Sequence, residues 1–81
     1  MKLTDVTQGA LEVYETHLLD ERNDQLSAAK FNRIIIEAAV DAGFAKDVPK
    51  DLKALAPYEV RQMTTDIAAH VAAAKAPPDP N

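Results

Sequence analysis

The sequence predicts an all-α fold, a compact bundle of three main helices and one short helix that ends in an extended Pro-rich C-terminal tail. Three observations predict it. Fifteen of the 81 residues are alanine and only two are glycine, and alanine favours helix because it has no side-chain entropy to lose there. Large apolar side chains recur at three- and four-residue spacing in three stretches, as on amphipathic helices. Gly43 and Pro57 fall at the ends of those stretches, where such residues stop and start helices.

The first helix is expected from about Asp5 to about Asp20, capped by Thr4, with Asp5 near the positive end of the helix dipole. Val6, Ala10, Val13, Tyr14, His17 and Leu18 share one face, extended by Leu3, while Glu12, Glu15 and Thr16 take the other. Gly9 costs ~1 kcal/mol relative to alanine in a helix interior, so the helix either begins later or packs closely there. The polar run Asp20–Asp24, "DERND", reads as the first connection: a solvated turn that holds a cap, or a docking surface for a basic partner.

The second helix is expected from about Gln25 to Ala42, capped by Asp24 or Ser27. Gly43 suits the left-handed position that closes a helix, and Phe44 the contact back onto its last turn. Val48-Pro49 suggests a short helix with proline in its first turn, carrying Leu52 and Leu55 inward. Pro57 opens the last helix, whose core stripe is Val60, Met63, Ile67, Val71 and Ala74. Residues 1–75 form the single domain, and "APPDPN" from Ala76 can continue neither helix nor strand.

"FNRIIIEAAV" sets a geometric problem. At about 100° per residue, Phe31, Ile34, Ile35, Ala38 and Ala42 share one arc. Ile36 points away from it, with Val40 one turn below on the same outer line. Two explanations stand: the middle helix touches neighbours on two sides, or Ile36 and Val40 meet another protein. The first is preferred. Tyr58 and Arg61, off the stripe of the last helix, are further contact candidates, although a tyrosine stacked on its own domain is commoner.

The charge excludes several functions. Nine Lys and Arg against thirteen Asp and Glu leave a net −4, with the basic residues scattered along the chain. Nucleic-acid and membrane surfaces both call for clustered cations. No apolar run approaches the ~20 residues of a membrane span. "MKLTDVTQG" lacks the apolar core of a signal peptide, so a cytoplasmic location is expected, with the virion as the other setting for a phage protein.

Catalytic signatures are missing: no phosphate loop, no nucleophile elbow, no HExxH and no cysteine. No enzyme activity, cofactor or metal is expected. His17 and His70 are the candidates for proton transfer near neutral pH, and each reads as a packed, hydrogen-bonded histidine. A two-histidine metal site completed by Asp66 or Glu12 has no dedicated ligand spacing behind it. "DERNDQLSAAKF" lacks the central glycine and terminal glutamate of a calcium loop.

Three stretches, "LTDVTQGALEVYE", "IEAAVDAGF" and "PYEVRQMTTDIAAHV" leading to "APPDPN", cover about half the chain. In them the chain resembles small proteins of tailed bacteriophages and prophages, of the tail-assembly chaperone-like kind. The resemblance implies a non-enzymatic protein that engages tail components such as the tape-measure protein, and it carries over no site residues. The expected function is a helical protein–protein interaction module with apolar grooves and ridges framed by acids. Ile36, Val40 and Tyr58 are its candidate contacts, and a phage tail component or a second copy of the chain its partner. The alternative is an acidic regulatory adaptor or inhibitor that binds a basic protein surface.

Overall fold

A computed structural model describes residues 1–20 and 27–77. The first helix, α1, spans Gln8–Asp20 and starts three residues later than expected. Its cap is Thr7, whose Oγ1 accepts the Ala10 N–H at 3.1 Å. Thr4 is engaged elsewhere: its N–H donates to the Phe44 carbonyl at 2.8 Å. That bond continues a two-stranded antiparallel ladder in which β1 (Lys2–Leu3) pairs with β2 (Ala45–Lys46), Leu3 opposite Ala45. The later start decides the role of Gly9, which falls in the first turn. A Cβ there would meet only Thr7 Oγ1, at 3.9 Å, so no close packing requires glycine.

The second helix, α2, spans Ala28–Asp41, with Ser27 Oγ accepting the Lys30 N–H at 3.2 Å. Of the two expected caps this is Ser27; Asp24, Gln25 and most of the "DERND" connection lie outside the described residues. The C-terminal end closes as expected. Gly43 adopts φ 86° and donates to Val40 O at 3.0 Å, while Phe44 donates to Ala39 O at 3.3 Å. These are the paired bonds of a Schellman motif.

The expected short helix differs from its prediction. Asp47 sits in the left-handed region at φ 56°, a conformation short polar side chains tolerate. Asp51 is non-helical at φ −107°, ψ 85°. A single 3₁₀ turn therefore begins only at Leu52 and ends at Ala54, leaving Pro49 outside it. Leu52 is buried and Leu55 half-buried. The third helix, α3, spans Pro57–Lys75, preceded by Ala56 in the extended conformation that a following proline imposes. Ala76 leaves α3 extended, at φ −75°, ψ 140°; the tail beyond Pro77 lies outside the described residues.

Helix α2 is central and packs against both α1 and α3. Tyr14 meets Phe44 and His17 meets Asp41, so α1 runs antiparallel to α2. The Thr64 Oγ1 donates to Asn32 O at 2.8 Å near the start of α2, and His70 lies beside Phe44 just past its end. Helices α2 and α3 are therefore parallel. Having neighbours on both sides buries Ile34, Ile35, Ile36, Ala38 and Ala39, an arc of about 200°. Ile36 is 0 % exposed, so the two-sided core is correct and its candidacy as a partner contact is withdrawn.

Three further expectations change. Val13, expected on the core face of α1, is 44 % exposed, and Leu11 packs against the core instead. Phe31 lies on the buried arc but in the first turn of α2, where it stays 39 % exposed, bordering a depression with Leu18 and Leu19. Ala74 is exposed because the buried stripe of α3 stops at Val71; Thr64, missed by the apolar pattern, joins that stripe. Beyond Val71 the end of α3 is held by Lys75, whose Nζ donates to Glu15 Oε2 on α1 at 3.0 Å. Among the described residues, no helix is long and apolar enough to cross a membrane.

Candidate functional site

The three sequence candidates do not form one site. Ile36 is core. Val40 lies about 40° further round α2 and one turn on, past the edge of the buried arc, and is 46 % exposed. It borders a depression with Val48, Pro49 and Leu52. Tyr58, at the start of α3, is 72 % exposed, and its hydroxyl donates to the neighbouring Glu59 Oε1 at 3.4 Å.

Both histidines act as ties between elements. His17 Nδ1 lies 3.2 Å from Asp41 Oδ2, linking α1 to α2. His70 Nε2 lies 2.6 Å from the Thr4 carbonyl, which can only accept, so that nitrogen carries the proton and joins α3 to the N-terminal strand. Glu12 accepts from Gln8 at 3.4 Å and Asp66 from Gln62 at 3.1 Å. Among the described residues, no three His, Asp or Glu side chains converge to hold a metal.

Burial raises the Tyr14 phenol above its ordinary 10.0, and the Glu15 carboxylate adds to the shift. The neutral phenol is thus favoured by the fold. Its contribution to stability is fully present below pH 10 and is lost as the pH rises through the raised value. The melting temperature is expected to fall in that alkaline window, and to fall less in Tyr14→Phe. Tyrosinate absorbance of Tyr58→Phe, which retains only Tyr14, checks the titration directly: a midpoint at or below 10 refutes it.

A larger apolar concavity lies elsewhere, where α2 and α3 both begin. Its walls are the first turns of α2, the 3₁₀ turn and the start of α3, and it encloses about 720 Å³. Leu52 and Val60 are buried in its lining, with half-buried Leu55 and exposed Ala29 and Pro57 completing the apolar part. The Thr64–Asn32 hydrogen bond, one turn beyond Val60, clamps the two helices beneath it. Lys30, Arg33, Lys53 and Arg61 also line the groove, and among the described residues no carboxylate does. The groove is thus framed by bases, against the expectation of a rim of acids, and four of the nine basic residues that look scattered in sequence meet there. Arg33 is turned along its own helix to Glu37, at 3.0 Å; Lys30, Lys53 and Arg61 are exposed and make no ion pair among the described residues.

Sequence reasoning missed this groove. Its one local signal is Lys30 and Arg33, three apart and so on one side of a helix; Lys53 and Arg61 join them only through packing. Comparison of the chain with protein-family models, curated proteins and solved structures found no match. What this surface can do follows from its own geometry.

Proposed function

We propose that the chain is a non-enzymatic helical protein–protein interaction module acting in phage or prophage tail assembly, where it holds a segment of a tail component. The observation that carries the interaction role is the groove at the start of α2 and α3, an apolar lining set on two packed helices and framed by basic side chains. Sites that hold partner side chains have this anatomy. The tail-assembly role is supported by the sequence resemblance alone. Co-expression with the products of neighbouring genes, followed by size-exclusion chromatography, tests both parts. A stoichiometric complex with a tail component is expected. Elution of the chain without any partner counts against the module, and a complex with some other protein counts against the tail role.

The acidic-adaptor alternative has a different surface, the shallow depression lined by Glu12, Asp20 and Asp41. Its partner would be basic. Such a complex would lose association rate steeply with salt, and charge-neutralising substitutions at Asp20 and Glu12 would weaken it.

A further inference from the structure

We infer that the groove between the starts of α2 and α3 receives an acidic amphipathic helix of the partner protein, an inference that rests on the interaction-module reading. Its apolar side chains at i, i+3, i+4 and i+7 enter between the helices, and its flanking carboxylates face Lys30, Lys53 and Arg61. The lining explains the apolar half. Leu52, Leu55 and Val60 offer aliphatic surface and no aromatic face. The walls are helical and 3₁₀ turns and, among the described residues, include no β-strand. An extended strand would find no edge to pair with, whereas helix-borne side chains need only the grooved shape.

Charge explains the acidic half. A chain with net charge −4 gathers four cations around one concavity, with no carboxylate in its lining among the described residues. The N-terminal turns of two helices, the positive ends of their dipoles, open onto the same place. An acidic segment is therefore attracted locally and a basic one repelled. A nucleic-acid strand is the weaker fit. Among the described residues the groove has no aromatic ring on which a base could stack, and its apolar lining offers a phosphate chain nothing to bury.

The test uses a fluorescent synthetic helix with leucine at i, i+3, i+4 and i+7 and glutamate on both flanks. Beside it run its glutamine-flanked counterpart, a scrambled peptide of the same composition and a single-stranded RNA, each titrated with the full chain by anisotropy. The chain is also tested as Lys30→Glu/Lys53→Glu/Arg61→Glu; these side chains are exposed, and circular dichroism confirms that the fold is kept. The acidic amphipathic helix is expected to bind. Its affinity should fall about tenfold or more in the triple variant, since three rim attractions become repulsions. The glutamine-flanked and scrambled peptides should bind correspondingly less.

Equal binding of the scrambled peptide, preference for RNA, or an unchanged triple variant overturns the proposal. So does self-association of the free chain that the triple variant abolishes, because a second copy would then fill the groove. The two readings fail separately. If the complex with neighbouring gene products survives the triple variant, the module stands and this groove is not its site. If no complex forms with the unaltered chain, the module itself falls.

Discussion

Ile36→Glu is expected to leave the chain largely unfolded at neutral pH and room temperature. The side chain is 0 % exposed and is among the largest fully buried ones, with Phe44 and Ile67. Removing its apolar atoms alone costs ~2–5 kcal/mol, as for Ile→Ala in a core. A carboxylate in the same place adds the desolvation of a charge with no partner, several kcal/mol more unless it takes up a proton. A domain of this length holds only about 4–12 kcal/mol in total. The loss is therefore comparable to the whole stability. Val40→Glu is the companion variant, one turn on and 46 % exposed, and is expected to stay folded within about 1 kcal/mol of the unaltered chain. Far-UV circular dichroism and urea unfolding of the two variants separate the cases. A folded, cooperative Ile36→Glu monomer would show that α2 is not covered on both sides.

Phe44→Ala should lower stability by ~3–5 kcal/mol and the melting temperature by roughly 12–40 °C, at about 4–8 °C per kcal/mol for a domain of this size. The number reflects how many elements this ring joins. It meets Tyr14 of α1 edge-to-face, with ring centres 5.5 Å apart and planes at 62°, and lies 6.1 Å from the His70 ring on α3. Its N–H closes α2 and its carbonyl accepts the Thr4 N–H. The backbone bonds survive truncation; the ring contacts do not. Phe44→Leu keeps most of the volume and should cost distinctly less. Thermal unfolding of both variants checks the pair, and equal losses would mean that backbone closure, not the ring, holds these elements together.

Much of the secondary structure was legible in the sequence because its causes are local. The Schellman closure at Gly43 and Phe44 needs only a residue free to take positive φ and an apolar one after it. Pro57 opens α3 through its own ring and its effect on Ala56. The later start of α1 was half-visible, since Gly9 argued against an early helix. What hid it was Thr4, which caps well in isolation but hydrogen-bonds to Phe44, forty residues away. The β1–β2 pairing was hidden too: its strands are two residues long, carry no periodicity of their own and meet across more than forty positions.

Local signals sufficed for the helical class, the C-terminal end of α2, the start of α3 and the burial of Val60, Ile67 and Val71, because caps, prolines and a 3.6-residue stripe act within a few positions. Only the tertiary structure decided that α2 lies between two helices, and so that three consecutive isoleucines are all core. It also decided that cations from α2, the 3₁₀ turn and α3 frame one groove. The number of neighbours around a helix, and the side chains that meet where separate elements begin, are set by packing over long sequence distances. Local spacing does not encode them.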